Sequence, residues 1–157
     1  LYLLLHFLIS PYQIALNLDK DRKGVFNPFE EEGLKENTAQ IQATAQALSQ
    51  LSEQNLAPLS EVHRNMHTLK GNSAIIGLEN LSLLARCSER LSIVLQRELS
   101  LSRRSGFALL RHVQKEMDSA LLILSREQSD ISTETIAPLQ QSVLEEIARW
   151  DEASSTI

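Results

Sequence analysis

A histidine, a lysine and a glycine stand close together near the middle of the chain, at His67, Lys70 and Gly71. On a helix with about 100° per residue, Lys70 lies within about 60° of His67 and Gly71 within about 40° of it. A neutral imidazole is a good nucleophile near pH 7, because the histidine pKa is about 6.5. The ammonium group of a lysine can balance the charge on phosphoryl oxygens. These residue types at this spacing indicate phosphoryl transfer through the histidine.

The residues around His67 show the apolar spacing of a helix that is buried on one side. Its apolar stripe recurs in steps of three and four residues and comprises Leu59, Val62, Met66, Leu69, Ser73 and Ile76. His67 lies about 130° from the middle of this stripe, so we predict that it faces water. Gly71 costs about 1 kcal/mol relative to alanine inside a helix. We expect the missing side chain to let another macromolecule approach His67 closely.

The sequence lacks the motifs of an enzyme that binds a nucleotide. There is no glycine-rich nucleotide loop, and no carboxylate cluster for magnesium stands near this helix. A chain with an acceptor and without a nucleotide site must receive its phosphoryl group from a partner, so we predict a carrier without a cofactor of its own. His63 and His67 stand four residues apart and could together hold a metal ion, but no further ligand is evident and no metal site is predicted.

The composition is typical of one globular, mostly helical domain. The 157 residues are 43% hydrophobic and 22% charged, and 5 Gly and 4 Pro are too few for a many-stranded sandwich or barrel. A net charge of -5 argues against a nucleic-acid partner. The single cysteine, Cys87, excludes an intramolecular disulfide, and we expect a reducing, cytoplasmic location.

Five amphipathic helices are predicted from Leu34 onward. The first ends near Pro58, the second ends at Gly77, and the third runs from about Glu79 to Leu99. The stripes of the first, third, fourth and fifth helices are Leu34, Ile41, Ala45, Leu48 and Leu51; Leu83, Leu84, Cys87, Leu91 and Val94; Phe107, Leu110, Val113, Met117, Leu121 and Leu124; and Ile136, Leu139, Val143, Ile147 and Trp150. Short connections make successive helices antiparallel, so the predicted fold is all-α: an up-down-up-down four-helix bundle with an additional C-terminal helix and an N-terminal extension.

Residues 1–33 are predicted to be an extension and linker, residues 34–152 the helical bundle, and residues 153–157 a tail. Residues 1–9 are apolar apart from His6, yet they make up about half the length of a bilayer-spanning helix. They are predicted either to dock on the body of the protein or on a second copy, which would give a homodimer, or to form the cytoplasmic end of a membrane helix. The second alternative is based on the positive charges that follow, at Lys20, Arg22 and Lys23.

The stretch from His67 to Gly77, HTLKGNSAIIG, continues as LENLSLLA and resembles the histidine-containing phosphotransfer (HPt) family. It is most similar to the phosphoacceptor domains of chemotaxis-type histidine kinases. The resemblance implies that His67 is phosphorylated on Nε2, with Lys70 and Gly71 as its motif neighbours. It also implies that a glutamate on the following helix, here Glu89, orients the imidazole by accepting from Nδ1–H. Glu89 lies roughly opposite the apolar middle of its own helix, so periodicity predicts an exposed side chain.

The resemblance implies partners as well: a sensor histidine kinase and the receiver domain of a response regulator, in a bacterial two-component phosphorelay. The receiver domain would supply an aspartate and the Mg²⁺. We expect it to dock over His67 on a surface for which His63, Ala74 and Ile75 are candidates. Arg86 departs from the pattern, because chemotaxis-type domains often carry another histidine at that place. Two alternatives stay open: the phosphoacceptor part of a larger hybrid histidine kinase, and a helical adaptor bundle that is not phosphorylated.

Overall fold

A computed structural model describes residues 28–156 of the chain, with the backbone alone for residues 28–30. Over these residues the chain is helical, without a β-strand, and the predicted all-α class is confirmed. The helices are α1 (Pro28–Ser49), α2 (Pro58–Ile75), α3 (Glu79–Val94), α4 (Arg104–Glu127) and α5 (Thr133–Ser155).

The first four helices form the predicted bundle, and α5 packs on one side of it. α1 contacts α2 and α4, α3 contacts the same two helices, and α5 contacts α3 and α4. Successive helices are antiparallel. Ser60 at the start of α2 donates to Gln96 just after α3, and Ser82 at the start of α3 donates to the carbonyl of Lys70 near the end of α2. The up-down-up-down bundle with an additional C-terminal helix is therefore confirmed.

The apolar stripe of α2 faces the core as predicted. Leu59, Val62, Met66, Leu69 and Ser73 are all inaccessible to solvent. Removing these side chains from water fixes the rotation of α2, because its apolar surface is stable only against the other helices. The opposite face of α2 is therefore turned outward.

Gly77 ends α2, as predicted. Its φ of 81° lies in the left-handed region, which a residue without a Cβ adopts at little cost. The N–H of Gly77 donates to the carbonyl of Ala74, and the N–H of Leu78 donates to that of Ser73 at 2.8 Å. These bonds close the helix and allow the chain to turn directly into α3.

The start of α1 differs from the prediction. The helix begins at Pro28 and not at Leu34, so residues 28–33 are helical and not linker. Proline suits the first turn of a helix, because an N–H there has no acceptor within the helix. Glu31 and Glu32 add negative charge near the positive N-terminal end of α1. The charged stretch that suggested a linker is therefore compatible with a helix start.

α3 also ends earlier than predicted, at Val94 and not at Leu99. The guanidinium group of Arg103 donates to the backbone carbonyls of Leu95 and Arg97. Those carbonyls would otherwise be acceptors for another helical turn. The side chain of Arg103 thus stabilises the loop that leads to α4.

Other differences concern single positions and helix ends. α1 ends at Ser49 and not near Pro58, and α5 extends to Ser155, into the predicted tail. Ala45 is exposed, while Thr44 takes its place in the core. The Thr44 hydroxyl is buried without penalty, because it donates to the carbonyl of Gln40 at 2.8 Å.

The two interpretations of residues 1–9, and the charges at Lys20, Arg22 and Lys23, lie outside the described residues. Among residues 28–156, no helix is both long enough and apolar enough to cross a bilayer.

Candidate functional site

His67 lies on the outward face of α2, and its side chain is 68% exposed. This confirms the prediction that the imidazole faces water. The backbone of α2 is held by the buried stripe on the other side of the helix, so the ring is displayed from a rigid element.

Glu89 on α3 reaches His67 directly. Its Oε1 lies 2.7 Å from Nδ1 of His67, across the α2–α3 interface. The prediction that Glu89 is exposed was wrong, because the residue is only 6% accessible. α3 packs against three other helices, α2, α4 and α5, so its buried arc is much wider than its apolar stripe.

Lys70 is the second partner of this carboxylate, a contact that the sequence interpretation did not include. Its Nζ donates to Oε2 of Glu89 at 2.6 Å. Both oxygens of Glu89 are thus occupied, one by His67 and one by Lys70. The available signal was that Lys70 shares a helix face with His67, so that one carboxylate can bridge both.

These contacts decide the charge of Glu89. Burial raises the pKa of its carboxyl, but hydrogen bonds from Lys70 and His67 and the positive charge of Lys70 outweigh this, so the pKa lies below its ordinary value of 4.5. Glu89 is therefore ionised near neutral pH. Since an ionised carboxylate can only accept, Nδ1 of His67 must carry the proton, which leaves the lone pair of a neutral ring on Nε2.

His63 lies one helical turn before His67 and approaches the same carboxylate. Its Nε2 is 4.0 Å from Oε1 of Glu89, which is too long for a hydrogen bond, and the two imidazole rings are 6.4 Å apart. The side chain is half exposed. The structure therefore brings together four of the predicted site residues, His63, His67, Lys70 and Glu89.

Gly71 leaves an opening beside His67. A Cβ built at this position would meet nothing within 4 Å, other than its chain neighbours and its own helix backbone. No packing contact among the described residues therefore requires glycine here. Glycine inside α2 costs stability, and at this position it leaves the backbone beside His67 open to the approach of a partner.

Ala74 and Ile75 lie at the end of α2, on the surface, as predicted. Ile75 is 67% exposed and is one of the large apolar side chains that the described residues leave in water. Ile93, on α3 one turn after Glu89, is also exposed and was not among the predicted docking residues. These residues flank the His67 site with apolar surface.

The described residues contain no group of three or more His, Cys, Asp or Glu side chains placed to hold a metal ion. Cys87 is buried, in agreement with its expected place in the core.

The molecule is thus a helical bundle that presents one nitrogen of an imidazole to solvent and holds the other on a buried carboxylate. The family model of the Hpt domain matches residues 32–121, more than half of the chain. The chain belongs to the Hpt domain family, as the resemblance indicated. No curated protein and no solved structure shows significant similarity to it.

The match extends from α1 into α4 and includes His67, Lys70, Gly71 and Glu89, whereas α5 lies outside it. Membership implies histidine phosphotransfer in a phosphorelay, and Hpt domains are phosphocarriers rather than enzymes. They generally interact with kinases and with receiver domains of response regulators.

Proposed function

We propose that this chain carries a phosphoryl group on Nε2 of His67. It receives the group from a kinase or from the phosphorylated aspartate of a receiver domain, and passes it to the receiver domain of a response regulator. The observation that carries the proposal is the 2.7 Å contact between Nδ1 of His67 and the buried Glu89, behind a ring that is otherwise exposed.

The transfer step uses the lone pair on Nε2. This nitrogen attacks the phosphorus of an aspartyl phosphate, and an N–P bond forms as the P–O bond to the aspartate breaks. The electron pair of the broken bond stays on the aspartate, which becomes a carboxylate. Nδ1 keeps its proton, so the phosphorylated ring is a cation, and Glu89 stabilises that charge as a carboxylate does for an imidazolium. Transfer to the next aspartate is the reverse of this step.

Lys70 has a supporting role in this proposal. An ammonium group has three donors, so Lys70 can keep its bond to Glu89 and also donate to a phosphoryl oxygen. In the proposed mechanism this chain binds no metal ion and no cofactor. The Mg²⁺ that transfer requires belongs to the partner receiver domain, beside the reacting aspartate.

The partner docks over His67 in this proposal. Gly71 leaves the approach open, and Ala74, Ile75 and His63 supply apolar and half-exposed surface around it. Apolar anchors surrounded by polar side chains are typical of protein interfaces. A relay with these partners places the domain in the cytoplasm.

Transfer of radiolabel from phosphorylated receiver domains tests the proposal. Wild-type protein should become labelled and His67→Gln should not, because the remaining histidine of the site, His63, makes no hydrogen bond to Glu89. His112→Gln is the matched control, since His112 is also exposed but lies on α4. Equal labelling of wild type and His67→Gln contradicts the assignment, and a panel of receivers that labels neither protein favours the adaptor alternative. The alternative of a larger hybrid kinase shares the phosphosite and differs only in the source of the phosphoryl group.

A further inference from the structure

Two exposed arginines stand one helical turn apart on α3, at Arg86 and Arg90. Within residues 28–156, neither guanidinium group has a hydrogen-bond or ion-pair partner. Arg97 and Arg149, in contrast, are paired, and Nη1 of Arg97 lies 2.8 Å from a carboxylate oxygen of Asp151. Arg86 and Arg90 therefore form a basic patch with unused donors, on a chain whose net charge is -5.

A groove of about 230 Å³ lies between α3 and α5, and the two arginines are part of its lining. Its deeper lining is apolar and includes the buried residues Cys87, Val143 and Ile147. Leu83 is partly buried, and Leu144 on α5 is 41% exposed. Apolar surface thus remains in contact with water directly beside two unpaired cations.

The groove exists because α5 packs on α3. The family match ends at residue 121, inside α4, so one wall of the groove comes from a helix that the match does not include. The groove is therefore formed partly by residues outside the family match.

The basic patch lies between the groove and the His67 site. At about 100° per residue, Arg86 and Arg90 are about 60° and about 100° around the axis of α3 from Glu89, which faces His67. The patch and the groove are therefore on the side of α3 next to the His67 site.

We infer that this groove binds an acidic amphipathic helix of a partner protein. Two carboxylates, one helical turn apart, pair with Arg86 and Arg90, and an apolar side chain enters the groove between Leu83 and Leu144. Arginine presents a planar fork of donors that matches a carboxylate, so the unpaired guanidinium groups select for acidic side chains. Helices that place apolar anchors in a groove are a common mode of recognition. The inference concerns binding alone and does not require that His67 be phosphorylated.

Charge argues against the other occupants of such a groove. Lipid-binding surfaces use clusters of about 4–8 basic residues, whereas only two arginines line this groove. Two copies of this chain each carry a net charge of -5, so long-range electrostatics oppose their association. An acidic helix of a different protein is attracted locally by Arg86 and Arg90, where the surface beside the groove is positive.

A synthetic peptide provides the test. The probe is a fluorescein-labelled helical peptide of about 15 residues, with glutamates one turn apart beside a row of leucines, and its counterpart has lysines in place of the glutamates. Fluorescence anisotropy measures binding to wild type, to the double variant Arg86→Glu/Arg90→Glu, and to the control Lys115→Glu/Arg126→Glu on α4. The control reverses the same number of exposed charges away from the groove. Leu144→Ser removes the exposed apolar wall at the surface, where little effect on folding is expected.

The acidic peptide should bind wild type and the control alike, and bind Arg86→Glu/Arg90→Glu about tenfold more weakly. Leu144→Ser should also weaken binding, and the peptide should shift the methyl NMR signals of Leu83, Val143 and Leu144. Binding that is absent, that is equal in the double variant, or that is stronger for the lysine peptide overturns the inference. Anionic vesicles that bind in an arginine-dependent way while the peptide does not, or self-association that the double variant abolishes, would overturn it in favour of a membrane or a second copy.

Discussion

Glu89 and Glu146 are both buried carboxylates on helices that pack against each other, yet their partners differ in chemistry. Glu89 accepts from His67 and Lys70. Oε1 of Glu146 accepts from the hydroxyl of Ser105, the guanidinium of Arg149 and the indole N–H of Trp150. For both carboxyls, burial raises the pKa but hydrogen bonds outweigh it, so each pKa lies below 4.5.

The difference lies in what stands in front of each carboxylate. Glu146 joins α4 to α5 through Ser105, and its buried partner Trp150 is inaccessible to solvent. His67 keeps a second ring nitrogen in water, so Glu89 acts on an atom that can react. A lowered pKa and burial are therefore shared by a structural and a functional carboxylate. What distinguishes them is that the exposed partner of Glu89 has a nucleophilic nitrogen, whereas the half-exposed guanidinium of Arg149 beside Glu146 has none.

Glu89→Ala should lower the rate of phosphoryl acceptance by about 10- to 100-fold, as the loss of an orienting hydrogen bond commonly does. Without the carboxylate, the neutral ring populates both tautomers and the phosphorylated ring loses its counter-charge. Single-turnover transfer from a phosphorylated receiver domain measures this rate. Glu89→Gln keeps an acceptor for Nδ1–H, so its rate of phosphoryl acceptance should lie between those of wild type and Glu89→Ala. A wild-type rate in Glu89→Ala contradicts the role of this residue as a positioning group.

Glu146→Ala should destabilise the fold by about 2 kcal/mol, because it leaves the buried indole N–H of Trp150 without an acceptor. The measurement is the free energy of unfolding from chemical denaturation. Phosphoryl acceptance by the folded variant should stay at the wild-type rate. Glu89→Ala should cost less stability than Glu146→Ala, since water can solvate the exposed side of His67. The reverse order of stability would remove the distinction between the two carboxylates.

Gly71→Ala should stabilise the protein by about 1 kcal/mol, because alanine is the better helix former and its Cβ meets no neighbour. Gly77→Ala is the matched control and should destabilise by about 1–2 kcal/mol, because its positive φ disfavours a Cβ. Thermal unfolding measures both.

A larger side chain at the same position tests the opening beside His67. Gly71→Arg should slow transfer from a receiver domain about tenfold, while chemical phosphorylation by phosphoramidate, a small donor, should be unchanged. An unchanged rate with the receiver domain contradicts the steric explanation of this glycine.

Acid should weaken both carboxylate clusters. A carboxyl whose folded pKa is below 4.5 adds stability above that pH, and the contribution is lost as the pH falls through the folded pKa. The free energy of unfolding should therefore decline below about pH 4.5, by at most about 1.4 kcal/mol per pH unit for each group. Denaturation at a series of pH values checks this, and Glu146→Gln should flatten the curve. A curve unchanged in Glu146→Gln would mean that this carboxyl titrates normally.

Apolar spacing was sufficient to predict the helices, because each stripe has one clear arc of burial. The stripe of α2 predicted the outward position of His67 for this reason. The same method placed Glu89 on the surface, because a single stripe does not describe a helix with three neighbours. Glu89 is buried because neighbouring helices pack beside it. Its carboxylate can be buried there because it accepts hydrogen bonds from His67 and Lys70.

The periodicity of apolar residues could not predict where helices end or which distant residues are in contact. The early end of α3 depends on Arg103, a residue of the following loop. The groove beside Arg86 and Arg90 depends on how α5 is placed against α3, which local sequence does not specify. In contrast, the turn at Gly77 was predictable, because it follows from the backbone freedom of one residue.

The central claim is that Glu89 holds the proton of His67 on Nδ1 and leaves Nε2 as the reactive, solvent-facing nitrogen. Nitrogen-15 NMR of the imidazole, at a pH where the ring is neutral, tests this directly. In wild type we expect a protonated Nδ1 and an unprotonated Nε2. In Glu89→Ala we expect the preference for this tautomer to be lost. A proton on Nε2 in the wild-type protein would contradict it.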